Sequence, residues 1–504
     1  MTSGVSGASG AIEVSDASRT SGTAANRGTG RAPRTGRAPR TGPVPRTGPV
    51  PRTGPVPRTG PASRTGRIRR PVLLLLAAVL TTAPIAACGS TAGPGAGPAP
   101  SVVRVSVPAT PASADPGQLA ATAAATNAFG VDLYRALTAD GGAGRNLVLS
   151  PSGLATALAM VLPGARGATA DELSKALHTG LTPARYAAAT GALDRLSRPA
   201  GGKDGTVLRR SDTLWAQQGF ALDPGYLATL AAAFDTGVRT TDFRKDPAGS
   251  RQAVNALVEQ DTEGRVKDLF GPRDITPDTR LVLTDALYLK AKWREPFPHA
   301  HTSDQPFHRP DGNAAPVSTM GRNAALRYAE GSGGIAGQPW QAVELPYAGS
   351  NLAMDLVVPA QGGFEGFVRG LDAPQLDRIL GGLAERQVDL TLPRFTFETS
   401  NDLVAPLRSL GVNAAFDDAD LGGIPGPGEQ ERLKVDAVVQ KATVAVDEDG
   451  TVAAAGSGVG IGAAAAEMPR QAVELHIDRP FVFLVRDTAT GQPLFLGQVT
   501  DPRP

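Results

Sequence analysis

The stretch Val446–Arg470 reads VDEDGTVAAAGSGVGIGAAAAEMPR. It begins like a β-strand and ends in small residues, from which no packed core can be built. Every second position from Thr451 gives Thr451, Ala453, Ala455, Ser457, Val459 and Ile461. The interleaved set is Val452, Ala454 and four glycines, Gly456, Gly458, Gly460 and Gly462. This is the two-residue period of a strand. One face is small to apolar and the other nearly bare, so the free segment has little reason to hold one shape. It suits an exposed loop that is also able to become a strand. A plain linker does not explain the alternation. A phosphate-cradling GxGxxG loop does not fit either. Position 461 is Ile461, and the roughly 40 residues that follow are too few for a nucleotide-binding half.

On either side the chain reads as strands. After the segment come FVFLV (Phe481–Val485) and LFLGQV (Leu494–Val499). Before it lie RLVLTDALYLKAKW, QVDLTLPRFTFE and AVELPYAGSNLAMDLVVP, the last predicting two strands joined at Ala348–Asn351. Helical patterns come earlier. Leu119–Leu137 spaces its large apolar residues like a helix, and Thr169 to Glu172 fits a capping box ahead of LSKAL. Val254–Phe270 reads as helix, turn, helix. Early helices and late strands without βαβ alternation predict an α+β domain with mostly antiparallel sheet.

Composition bounds the function. The 504 residues are 41% hydrophobic, enough for a sizeable core, and carry a formal charge of +2. That charge is unevenly spread. Residues 1–87 hold 13 Arg and only two acids, leaving a net −9 on the remainder. A basic nucleic-acid-binding face on the main domain is therefore disfavoured.

Residues 1–70 form a low-complexity tail. Six-residue units, RAPRTG twice, PVPRTG three times and then PASRTG, run from Arg31 to Gly66. Such a composition cannot bury enough surface to offset chain entropy. The tail reads as solvated chain, or as sequence ahead of a later true start such as Val50. A basic arm that touches nucleic acid or acidic lipid is the rival reading. Residues 71–88 follow a cluster of Arg67, Arg69 and Arg70 and contain an apolar run, Val72–Leu80. That run is too short to span a bilayer but suits a signal-peptide core. It ends at Ile85-Ala86-Ala87-Cys88, which resembles the bacterial lipobox; the alternative is an ordinary secretory signal with a chance Cys. The resemblance implies lipid attachment at Cys88 and an extracytoplasmic protein, lipid-anchored to the outer face of the cytoplasmic membrane or secreted. Cys88 is the only Cys, so no intrachain disulfide is available. Residues 89–118 read as a flexible Pro/Gly/Ala/Ser linker, and 119–504 as the folded domain.

The domain offers no enzyme motif: HExxH, GxSxG and GxxxxGK[ST] are all absent. His299, His301 and His308 read as scattered loop histidines rather than metal ligands. No nucleophile–base constellation supports a hydrolase, and no cofactor or metal is expected.

The hinge Glu448-Asp-Gly450-Thr451-Val-Ala-Ala-Ala455 resembles that of the serpins, a family of large serine-protease inhibitors. Five further stretches are similar in the same order. They are Asn146–Leu173, Leu283–Phe297 with Trp293, the pair LPYAGSNLAMDLVVP and LPRFTFETSNDLVAPLRSLGV, and the C-terminal DRPFVFLVRDTATGQPLFLGQVTDP. The resemblance implies three mostly antiparallel β-sheets, about eight or nine helices and an exposed reactive-centre loop.

It also implies a mechanism. A target serine protease attacks the loop, and the cut loop enters the main sheet as an extra strand. Small hinge residues at Thr451, Ala453 and Ala455 suit burial on entry. The family's usual spacing from Gly450 puts the cleaved bond at Ala464–Ala465, pointing to an elastase- or subtilisin-like target. Met468 and Arg470 are the alternatives, the latter for a trypsin-like one. The expected partner is that protease, with membrane contact only through the lipid anchor, no nucleic acid, and a monomeric chain. Ser150, Asp285 and Gln440 match positions that help control sheet opening in the family, where Asn and His are usual at the latter two and Ser is usual at Gly153. Gln440 is expected to hydrogen-bond Asp285 or Ser150. A non-inhibitory, surface-binding lipoprotein on the same scaffold is the competing reading.

Overall fold

A computed structural model describes residues 100–104, 110–139, 141–198, 206–335, 337–430, 432–451 and 472–503. Among them run nine α-helices: α1 Pro116–Thr138, α2 Pro151–Val161, α3 Gly167–Ala176, α4 Pro183–Leu196, α5 Pro224–Phe234, α6 Pro247–Asp261, α7 Phe364–Gly370, α8 Ala373–Gly381 and α9 Val404–Ser409. The strands are β1 Ser101–Val103, β2 Leu147–Leu149, β3 Val207–Arg210, β4 Thr213–Gln217, β5 Val238–Thr241, β6 Leu281–Lys292, β7 Ser303–His308, β8 Ala314–Ile335, β9 Gln338–Pro346, β10 Leu352–Pro359, β11 Ala384–Pro393, β12 Phe395–Asp402, β13 Ala437–Val446, β14 Gly450–Thr451, β15 Val473–His476, β16 Phe481–Asp487 and β17 Pro493–Val499. Helices dominate the first half and strands the second, the α+β arrangement expected.

The first sheet has the order β1-β5-β4-β6-β14-β13-β12, with β3 also paired to β6. The second has the order β15-β11-β8-β9-β10-β16-β17-β2, with β7 on β8. Three sheets were expected. The described strands instead connect into two networks, because β8 spans 22 residues and serves two halves. Its start pairs with β7 and β11, and its end with β9.

One apolar cluster joins the helices to the first sheet through Phe129, Leu154, Leu158 and Leu283. A second fills the space between the sheets, with Leu287, Leu289 and Ala291 of β6 against Met354, Phe483 and Val485. Helix α2 is buried along its whole length, which fixes its first turn beneath the first sheet.

Three expectations change. The linker assigned to 89–118 contains regular structure: Ser101–Val103 pairs with β5, and α1 begins at Pro116. Asp115 caps that helix by accepting from the Gln118 amide at 2.8 Å. Thr169 does not cap α3, which starts two residues earlier at Gly167. Its hydroxyl accepts from the Asp420 amide instead, and Glu172 accepts from the Asn413 and Ala414 amides. Finally, Val254–Phe270 is one helix end followed by turns. Positive φ at Glu263, Gly264 and Asp268 breaks the helical path, and the Asn255 side chain ties down both polar groups of the Phe270 backbone.

Candidate functional site

The site lies where two strands part. β6 and β13 run parallel and pair from Val282 with Ala437 to Leu287 with Ala442. Beyond that they diverge, and β14 enters between them. Gly450 faces Lys292 and Thr451 faces Ala291 on β6, while Thr451 also pairs with Val446 on β13. β14 is thus antiparallel to both neighbours, the slightly more stable pairing. A side chain at 450 has no room: a Cβ there would overlap the Ala291 carbonyl oxygen and lie 2.7 Å from Lys292 Cα.

A tight turn delivers the chain to this position. Asp447 Oδ1 accepts from the amides of Asp449 and Gly450 at 3.0 and 3.1 Å. Trp293 holds the turn from β6, donating its amide to Asp449 O and its indole N–H to Asp447 O, both at 2.9 Å. The Trp293 ring stacks on Tyr347 with centroids 4.6 Å apart. The Tyr347 hydroxyl in turn lies 2.5 Å from Thr451 Oγ1.

Glu448 is 3% exposed. Burial opposes its ionisation. The Thr302 hydroxyl at 2.7 Å, its own amide, Arg394 at 3.5 Å and His299 at 4.0 Å outweigh that effect and hold the carboxyl below its usual range. The hinge is therefore pinned at Glu448 by charge and at Thr451 by pairing and burial.

The second part of the site lies farther down the same strand pair. Gln440 faces Asp285 across β13 and β6. Its amide donates to Asp285 Oδ2 and, at 2.8 Å, to Ser150 O, while its carbonyl accepts from the Ser150 amide at 2.8 Å. The hydrogen bond expected of Gln440 is thus present to both candidates. Ser150 also caps α2, accepting from the Gly153 amide at 3.0 Å. Ser150, Asp285 and Gln440 are almost wholly buried. A Cβ on Gly153 would collide with the Asp285 carboxyl, so the glycine is what lets Asp285 lie against the first turn of α2.

Of the residues singled out in the sequence, the structure brings together Glu448, Gly450 and Thr451 at the parting, and Ser150, Asp285 and Gln440 below it. Ala453, Ala455, Ala464, Ala465, Met468, Arg470 and Cys88 lie outside the described residues. His299 lies against the hinge near Glu448 and Asp449, His301 ends the same short turn, and His308 sits near Asp478. Sequence reasoning missed Tyr347, which stood inside a quoted strand pattern without a role, and Asp212, which belongs to no motif.

A family model, Serpin (serine protease inhibitor), matches residues 124–502. An uncharacterized serpin-like protein of Thermococcus kodakarensis is 34% identical over 380 residues, covering 75% of this chain and 85% of that protein. The leukocyte elastase inhibitor of Bos taurus is 32% identical over 391 residues, covering 75% and 99%. The solved structure of human thyroxine-binding globulin matches with a TM-score of 0.67 at 26% identity, covering 77% of this chain and all of that one. With its hinge, its strand pairing and these likenesses in agreement, the chain belongs to the serpin family.

Proposed function

We propose that the protein is an irreversible suicide-substrate inhibitor of serine endopeptidases, acting by loop cleavage and strand insertion. One observation carries the reading: β14 is antiparallel to both β6 and β13 and ends at the start of the alternating segment. It is the first step of a strand whose lane is already marked. Continued at the register of Thr451 opposite Ala291, that strand would pass between Asp285 and Gln440. Insertion of about 13 residues would add on the order of 10–20 backbone hydrogen bonds, each worth about 0.5–1.5 kcal/mol net. The gain, of order 10 kcal/mol, rivals the stability of a whole domain. It is enough to distort a protease still bound as an acyl-enzyme, and displacing a reacting group by about 1 Å slows its chemistry about a hundredfold.

The proposed reactive bond is Ala464–Ala465, with Met468 and Arg470 as alternatives, and the proposed target is elastase- or subtilisin-like. We also propose that Cys88 carries a lipid and tethers the inhibitor to the outer face of the cytoplasmic membrane. Incorporation of labelled palmitate, lost in Cys88→Ala, tests that part.

The inhibitor reading is tested by mixing the chain with elastase-, subtilisin- and trypsin-like enzymes. A complex that survives SDS is expected, together with a large rise in melting temperature after loop cleavage. Clean cutting with neither result would favour a non-inhibitory binding lipoprotein, a reading supported by the changed residues Asp285, Gln440 and Gly153.

A further inference from the structure

Below the parting of β6 and β13, three carboxyls share one strong cation. Arg210 on β3 donates Nη1 to Asp194 of α4 and Nη2 to Ser152 Oγ at 2.9 Å. Asp194 also receives Arg198, 3.0 Å away and largely in solvent. Asp194 is thereby paired with two guanidinium groups. Asp212, in the turn between β3 and β4, and Asp285 on β6 are left facing each other: Arg210 pairs with Leu287 and Thr213 with Thr284, which sets 212 opposite 285. Oδ1 of each is shut from solvent, and no donor reaches either atom. Two carboxyls facing each other out of solvent, with an oxygen on each that no donor reaches, are relieved by one shared proton.

We propose that Asp212 and Asp285 share one proton in the closed sheet, and that this proton latches β6 against β13 through Gln440. The inference rests on the insertion reading and deepens it, adding Asp212, Arg210 and Gly153 as positioning residues for sheet opening. Gly153 makes room for the Asp285 carboxyl, and the first turn of α2 closes over it. Gln440 then spans from Asp285 to Ser150. The other charged group near this point of β13, Lys441, is engaged by Glu398 at 3.0 Å and by the Lys267 carbonyl at 2.9 Å.

Burial, then the charge of the neighbouring carboxyl, keeps Asp212 protonated well above the ordinary carboxylate range; Asp285 is raised too, chiefly by burial. Parting β6 from β13 admits water and releases the proton. The latch is therefore fully present below the ordinary carboxylate value and is lost as pH rises through the raised one. In that window, opening speeds up by as much as about tenfold per pH unit, the limit for one released proton.

The test uses the full chain and a synthetic peptide copying Thr451–Ala464, which anneals only when the sheet opens. Annealing rate and melting temperature are followed from pH 5.5 to 8.5 for the wild type, Asp285→Asn and Asp212→Asn. The wild type is expected to anneal faster and melt lower as pH rises. Asp285→Asn keeps an acceptor for Gln440 and gives Asp212 a donor, so its rate should vary less than about twofold; either Asn variant alone suffices to show the lost slope. Equal slopes in wild type and both variants overturn the latch, as does a lost melting slope with an unchanged annealing slope. Loop cleavage of the same samples separates the two readings. Stabilisation on cleavage with equal slopes sinks the latch alone, and no stabilisation sinks insertion and latch together.

Discussion

The hydroxyls of Tyr347 and Thr451 lie 2.5 Å apart in a site where Thr451 is 2% exposed. The residue that opens the alternating segment is thus already seated as a strand residue, its polar atom satisfied by a side chain from beyond the end of β9. Tyr347→Phe removes that partner but keeps the stacking on Trp293. Thr451 is then left with a buried, unmatched hydroxyl, which costs about 1–3 kcal/mol. Hydrogen exchange at the Gly450 and Thr451 amides should quicken accordingly, while global unfolding changes little. Unchanged exchange would mean that backbone pairing alone holds the hinge.

Gly450→Ala probes the pairing itself. The added Cβ would overlap the Ala291 carbonyl, and the atoms it meets are all backbone of β6, with no flexible side chain to yield. Overpacking of this kind costs about 1–3 kcal/mol. β14 is expected to leave the lane, so limited proteolysis near the hinge should accelerate several-fold. A variant as resistant as the wild type would show that the hinge tolerates a side chain.

The two-residue alternation after Gly450 was legible because strand period is a property of neighbouring residues. Its lane was not, because Ala291 and Val446 become neighbours of Thr451 only through folding. Gly153 was visible as a departure from the family pattern, yet its meaning is spatial: it clears the volume that Asp285 fills. Asp212 carried no signal at all. One acidic residue in a short turn has no pattern, and it acquires a partner only when β3 and β4 fold back on β6. The capping box at Thr169 failed for the converse reason. The local pattern was present, but Asp420, Asn413 and Ala414 claimed its oxygens first.

The core behind β10 carries a second electrostatic group. Arg486 donates to Asp355 Oδ2 at 2.7 Å and Glu344 Oε2 at 2.6 Å, and all three residues are buried. Burial pushes Asp355 up to about 6 against the pull of Arg486. A raised carboxyl stabilises the fold in acid and gives that up as pH rises through about 6. Arg486→Met strips buried Asp355 of its hydrogen-bonded cation and leaves Glu344 only Arg327, 3.4 Å away; losing one partner of a buried pair costs about 3–5 kcal/mol. Urea unfolding should show this deficit in full at pH 8 and a smaller one below pH 5, where Asp355 is neutral. A deficit independent of pH would assign the loss to packing.

Thr451→Arg addresses the proposed function most directly. Position 451 is already buried between β6 and β13, so a guanidinium there must either drag the hinge outward or lie unpaired in the sheet. An unpaired buried charge costs several kcal/mol or more, and it acts at the first residue the inserting strand must place. A local barrier at the start of insertion gives the protease time to finish deacylation. The variant should still be cut in the loop, at a rate near that of the wild type, because the bond itself is untouched. It should form far less SDS-stable complex, about a tenth or below, with the enzyme recovered active after each cut. Thr451→Ser, which keeps the hydroxyl for Tyr347, should inhibit like the wild type. If Thr451→Arg traps its protease as well as Thr451→Ser does, inhibition does not pass through β14.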